Sequence, residues 1–433
     1  MVNKLFKTKK INGLSGEIII PPDKSISHRT IIFGALTGGK IEIKNLSLGE
    51  DCLSTLKIFE KLGVKHEFIS KRDLILDATN GLKADKEVVL DCGNSGTTTR
   101  LLSGLLAWQN FSSTLIGDNS LSKRPMKRII DPLSRMGAKI SSNENKLPLK
   151  IEGQQLNSIT YHSPIASAQV KSCLMLAGLG ANGTTKIYEP TLSRNHSEIM
   201  LNYLEAEIST GKDEFGYYTE IKKSKLTPKN LEVVGDISSA AFFMVAAAIV
   251  PNSSIIIKNV GINPTRTGIL DVFKQAEIDF ELLNQKTICN EQVADIKVNY
   301  TKDIKPFNIS GDLVPRLIDE IPVLAVLASQ ANGKSIVADA KDLRNKESDR
   351  IKTIVDSFST IGIEIKEKED GFEVIGKKEI SSSATLETYL DHRLAMSYFV
   401  LGLINNDSFA INGFDCTNTS FPEFINLMNE LTS

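Results

Sequence analysis

Six segments of the chain set a polar or charged cluster directly ahead of a run of small and branched apolar residues: DKSISHRTIIFGAL, GNSGTTTRLLSGLLA, SPIASAQVKSCLMLAGL, GDISSAAFFMVAAAI, RLIDEIPVLAVLA and YLDHRLAMSYFVLGL. The clusters hold Lys24, Arg29, Arg100, Gln169, Lys171 and Arg393, and nearby loops add Arg124, Lys346 and Arg350. The chemistry open to this arrangement is anion binding. A helix start carries unpaired backbone N–H groups and partial positive charge, so it takes an anion without net charge on the protein. If the starts converge, they line a strongly positive cleft. Asp319 and Glu347 lie among the cations, and a carboxylate kept in an anion site has proton-transfer work to do.

Taken singly, K-S-x-S-H-R or N-S-G-T-T-T-R is an ordinary capped helix start with a solvated cation, and KESDR is a surface ion-pair helix. The register argues otherwise. With Ser25, Gly96, Ser167, Ser238, Asp319 and Asp391 as markers, the spacings are 71, 71, 71, 81 and 72 residues. Caps that only end helices need no cation or amide recurring at matched positions. His66 and His162 have no site-like spacing and read as structural or exposed, and Cys173 reads as core.

The regular spacing predicts a repeated supersecondary unit. Each marked segment reads as a largely buried helix, apolar almost all round after a start rich in capping residues. Between them lie β-branched runs such as GEIIIPP, KIEIKNL, DLILDA, STLIGD, TKIYEP, SSIIIKNV and KSIVADA, which predict strands. A second, more exposed helix type is expected in DCLSTLKIFEKLGVKHEF and MKRIIDPLSRMGAKI. The sequence therefore predicts an α/β repeat, three units on each side of a break near KKSKLTPKN. Pro21-Pro22 marks a second crossing. The expected boundaries are 20–232 for one domain, and 1–19 with 233–433 for the other.

A length of 433 residues fits more than one domain. The formal charge of -1 excludes an overall field for nucleic acid or acidic membranes. A single Trp and 6% aromatic residues offer little for base stacking. Cys52, Cys92, Cys173, Cys289 and Cys416 show no metal spacing, which fits a reducing compartment. With no signal-peptide or membrane-span pattern, a cytoplasmic location is expected.

The motifs PPDKSISHR, GNSGTTTR, GDNSLSKRPM, SAQVKS, SRNHSE, GDISSAAFF, LIDEIPVLA, LRNKESDR and DHRLAM occur in the order of, and closely resemble, those of the 5-enolpyruvylshikimate-3-phosphate synthase family. The resemblance spans nearly the whole chain. It implies two similar domains of three βαβαββ-like repeats each, the inside-out α/β barrel of the enolpyruvyl transferase fold, joined by a two-crossing hinge. The implied activity transfers the enolpyruvyl group of phosphoenolpyruvate to the 5-hydroxyl of shikimate 3-phosphate, releasing phosphate. The resemblance implies no metal or organic cofactor, and a monomer whose partners are these two small substrates. The cations are expected to hold the unliganded form open until the anionic substrates enter.

By the same resemblance, Asp319 accepts the proton of the attacking hydroxyl, and Glu347 with Lys24 stands near the enol carbon. Phosphoenolpyruvate falls to Lys24, Gly96, Arg100, Arg124, Gln169, Arg350 and Arg393. Shikimate 3-phosphate falls to Lys24, Ser25, Arg29, Ser167, Ala168, Gln169, Ser193, Asp319 and Lys346. Ala168 acts through its backbone. Gly96 implies sensitivity to glyphosate, which a side chain at that position would crowd.

Two residues depart from other members: Thr419 stands where many have lysine, and Leu101 where others have proline. The rival in the same fold is UDP-N-acetylglucosamine enolpyruvyl transferase, which uses a loop cysteine five residues before an Arg-Pro pair. Here Asn119 holds that place before Arg124-Pro125.

Overall fold

The computed structural model describes residues 5–376 and 379–432. The six marked segments form helices Lys24–Leu36, Gly96–Leu106, Ala168–Gly178, Ile237–Ile249, Ile321–Ser329 and His392–Gly402. Asp23, Ser95, Ser167, Asp236 and Asp391 each accept a backbone N–H of the first turn, which satisfies donors that a helix start leaves unpaired. The helices are apolar all round because they are buried: in Ile237–Ile249 only Ser239 escapes full burial. The fifth start differs. A short helix Val314–Leu317 precedes it, and Asp319 lies in the break before Ile321–Ser329, whose Pro322 fits the first turn.

In the second, third, fifth and sixth repeats the helix joins two strands that pair in parallel, the connection that parallel pairing requires. In the second repeat, Glu87–Asp91 runs parallel to Ser112–Ile116, which pairs antiparallel with Lys146–Glu152, and Lys139–Asn143 closes the sheet. The third repeats this with Thr160–His162, Thr184–Glu189, Gly216–Lys222 and Ile208–Asp213. Strand Lys146–Glu152 alternates buried and exposed residues, as a sheet with one solvated face does. Among the described residues there are five four-stranded sheets and one three-stranded sheet, none closing into a barrel.

The first and fourth repeats draw their leading strands from elsewhere in the chain. Ser15–Ile19, just ahead of the Lys24 helix, pairs in parallel with Ser254–Gly261. Leu231–Glu232, just ahead of the Ile237 helix, pairs in parallel with Lys40–Lys44. The chain divides into two units, one of Met1–Pro21, Gly235–Thr287 and Gln292–Ser433, the other of Pro22–Val234 and Ile288–Glu291. The longer fourth spacing contains the hairpin Phe280–Ile288 and Glu291–Asn299, with nine residues in each strand.

The exposed helices are shorter than the amphipathic pattern predicts. Glu50–Lys61 is followed by Gly63 at φ 87°, and Lys127–Arg135 by Gly137 at φ 92°. A left-handed glycine ends a helix. The residues beyond each glycine, Lys65–Phe68 and Lys139–Asn143, are strands. No helix among the described residues is long and apolar enough to cross a membrane.

Candidate active site

In the Pro22–Val234 unit, the Gly96 and Ala168 helices pack so closely that a Cβ on Gly104 would overlap the Cys173 carbonyl. That approach sets their starts side by side. Arg100 NH1 donates to Gln169 Oε1 at 2.8 Å, and Gln169 Nε2 donates to Thr97 Oγ1 at 3.1 Å. Arg124 NH2 donates to Asn94 Oδ1 at 3.0 Å, and Asn94 is held by Asp118 at 2.6 Å. Gly96 sits beneath this group: a Cβ there would stand 2.8 Å from Arg100 NH1 and 3.5 Å from Arg124 NH1. The structure thus gathers Gly96, Arg100, Arg124 and Gln169.

Lys24 opens its helix and pairs with Asp51 at 2.9 Å. Arg29 is buried; it donates from Nε to Ser197 Oγ at 2.7 Å, from NH2 to Ser172 Oγ at 2.8 Å and from NH1 to Ser25 O at 2.9 Å. Behind them, His28 Nδ1 lies 2.8 Å from Thr55 Oγ1, which lies 2.7 Å from Thr98 Oγ1, and Thr98 bonds to the Ser95 cap. Burial pushes the His28 imidazole down to about 3, so it is neutral. Burial also pushes the Cys52 thiol, beside the Lys24 carbonyl, up to about 12, so it stays protonated and offers no nucleophile.

Lys171 is not a site cation. It is buried between Glu189 at 2.6 Å and Glu198 at 2.7 Å. Burial opposes its charge, but the two carboxylates outweigh that and hold its pKa above the ordinary value. The expectation that it adds to a positive cleft is corrected by these two acidic partners, which polar clusters at helix starts do not reveal. Ser193 is buried near this pair, and Ala168 starts the helix that Ser167 caps.

In the other unit, Arg350 is the centre. Its Nε donates to Asp391 Oδ2 and its NH2 to Glu347 Oε2, both at 2.7 Å, and its NH1 lies 3.7 Å from Asp319 Oδ1. Lys346 Nζ is 3.5 Å from the same Asp319 oxygen, and Arg393 NH1 donates to the Asp319 carbonyl at 3.2 Å. Burial works against the Arg350 charge, but Asp391 and Glu347 outweigh it, so the guanidinium is firmly protonated. Asp319, Lys346, Glu347, Arg350 and Arg393 therefore stand together, two carboxylates among three cations. KESDR is no surface helix: its arginine is interior.

Asp391, Asp51, Asn94 and Thr97 orient these groups, and sequence reasoning assigned them no such part. Asp391 was legible only as a helix cap in YLDHR. Among the described residues, no group of three or more His, Cys, Asp or Glu is placed to hold a metal ion.

Comparison with known proteins places this architecture. The enolpyruvyl transferase NikO from Streptomyces tendae shares the fold, with a TM-score of 0.79 at 15% identity over 99% of this chain and 97% of its own. An EPSP synthase from Acinetobacter baumannii superposes with a TM-score of 0.86 at 38% identity, covering 99% and 98%. The fold is that of an enolpyruvyl transferase. Residues 8–428 match the EPSP synthase (3-phosphoshikimate 1-carboxyvinyltransferase) family. Proteins named 3-phosphoshikimate 1-carboxyvinyltransferase from Petrotoga mobilis and from Thermoanaerobacter sp. strain X514 are 46% and 48% identical, each over 97% of this chain and 98% of their own. The chain belongs to the EPSP synthase family and is an enzyme of that activity, which transfers the enolpyruvyl group of phosphoenolpyruvate to the 5-hydroxyl of shikimate 3-phosphate in the shikimate pathway.

Proposed function

We propose that Asp319 and Glu347 divide the proton traffic of this reaction. Asp319 takes the proton of the 5-hydroxyl as its oxygen bonds to C2 of phosphoenolpyruvate. Glu347, with Lys24, serves the methylene carbon, which gains a proton in the addition and loses one as the C2–O bond to phosphate breaks. A tetrahedral adduct lies between the two steps. The observation that carries this assignment is that both carboxylates lie against one buried guanidinium, that of Arg350, at 3.7 and 2.7 Å. A carboxylate fixed beside the reacting atoms can take up a proton and return it.

Lys24, Gly96, Arg100, Arg124, Gln169, Arg350 and Arg393 serve phosphoenolpyruvate, whose phosphate and carboxylate suit guanidinium forks. Lys24, Ser25, Arg29, Ser167, Ala168, Gln169, Ser193, Asp319 and Lys346 serve shikimate 3-phosphate. The protein acts as a cytoplasmic monomer on these two small molecules. The domain boundaries follow the two chain crossings, near residues 20 and 233.

Deuterium exchange tests the division of labour. Wild-type enzyme turning over in D2O should place deuterium in the methylene group of recovered phosphoenolpyruvate, and Glu347→Gln should slow this by about a hundredfold or more. Exchange at the wild-type rate in that variant would remove Glu347 from the proton path.

A further inference from the structure

Lys171 has no place among the substrate cations, yet its surroundings are elaborately built. An ammonium has three N–H donors. Here they face Glu189 Oε2 at 2.6 Å, Glu198 Oε1 at 2.7 Å and the Ser193 carbonyl at 3.5 Å. The three side chains are 2%, 3% and 7% exposed. None of those donors is left for a substrate.

One cation between two buried carboxylates is a poor way to stabilise a core, because desolvation offsets most of the attraction and apolar residues of equal volume would do as well. Such a triad supplies direction, which apolar packing does not. Glu189 Oε1 accepts the backbone N–H of Ser167 at 3.1 Å, while Lys171 holds the backbone carbonyl of Ser193. Glu198 is steadied by Thr219 Oγ1 at 3.4 Å. Ser172, next to Lys171 on the Ala168–Gly178 helix, and Ser197, next to Glu198 on the helix His196–Tyr203, hold Arg29. Two contacts expected for the acceptor substrate, Ser167 and Ser193, thus hang from one buried ion cluster.

We propose that Lys171, with Glu189 and Glu198, is a positioning residue for shikimate 3-phosphate, setting the distance between the Ser167 helix start and the Ser193 loop. This rests on the reading of Ser167 and Ser193 as acceptor contacts. Gln169, assigned to both substrates, lies on the same helix, but its side chain is tied to Arg100 and Thr97, so its contact with phosphoenolpyruvate is held independently of the ion cluster.

The test compares Lys171→Met and Glu189→Gln with Ser167→Ala, by steady-state kinetics in both substrates and by thermal unfolding. Both triad variants should raise KM for shikimate 3-phosphate by about tenfold or more, with KM for phosphoenolpyruvate changed by less than about twofold. If Lys171→Met does not fold, Glu189→Gln carries the test, since its amide oxygen still accepts from Ser167 while the ion pair is gone. Unchanged KM values with a lowered Tm, or equal rises for both substrates, overturn the proposal. If Ser167→Ala leaves the acceptor KM untouched, the underlying reading of Ser167 fails instead.

Discussion

The Nε of Arg350 lies 2.7 Å from Oδ2 of Asp391, and the two side chains are 1% and 0% exposed. Asp391 also caps the His392–Gly402 helix by accepting from the Arg393 and Leu394 N–H groups. One carboxylate therefore fixes the plane of the guanidinium that faces Asp319 and Glu347, and anchors the backbone that carries Arg393. Breaking a buried pair leaves a charge uncompensated, which costs about 3–5 kcal/mol.

Asp391→Asn should lower kcat/KM for phosphoenolpyruvate by about a hundredfold or more, part of the energy of the broken pair appearing as misplacement of Arg350. Asparagine still caps a helix, so the fold should survive. Steady-state kinetics beside circular dichroism checks this; an intact fold with wild-type kcat/KM would leave Asp391 a helix cap only.

Gly96→Ala should weaken inhibition by glyphosate by about tenfold or more, because the methyl group would stand 2.8 Å from Arg100 NH1 and within reach of Arg124. The arginine tip is flexible and can give way, so activity should persist with a raised KM for phosphoenolpyruvate. Inhibition curves for the two enzymes decide it, and superimposable curves contradict it.

His28 makes the folded state acid-sensitive. Its pKa falls from 6.5 in the unfolded chain to about 3 in the native one, chiefly through burial. Between those values the unfolded state binds a proton that the native state does not, so stability is lost as pH falls. His28→Gln keeps a hydrogen bond to Thr55 within reach and removes the titration. Urea unfolding between pH 6 and 4 should show a variant whose stability declines less steeply, by about 1.4 kcal/mol per pH unit. Parallel declines would mean that His28 is not buried neutral.

The six buried helices were legible because apolar runs after capping residues leave few alternatives, and the sheets because β-branched runs fell between Gly, Asn and Asp. Gly63 and Gly137 were visible in the sequence, yet the apolar spacing carried the helix reading across them, and only tertiary pairing shows strands beyond. Lys171 misled for a different reason. A cation beside a helix start looks the same in sequence whether it faces solvent or two glutamates, and Glu189 and Glu198 lie 18 and 27 positions away. Asp391 hid behind its cap. Asp319 and Glu347 were legible as carboxylates among cations and took their roles from the resemblance, but their shared contact with the Arg350 guanidinium belongs to the fold.

Phosphate release is the most direct measure of the central claim. The purified protein is given phosphoenolpyruvate with shikimate 3-phosphate or, separately, with UDP-N-acetylglucosamine, each beside an Asp319→Asn control. Release should occur with shikimate 3-phosphate alone and fall by about a hundredfold or more in the variant. Release with the nucleotide sugar alone would contradict the acceptor, and an Asp319→Asn enzyme as fast as wild type would contradict the base.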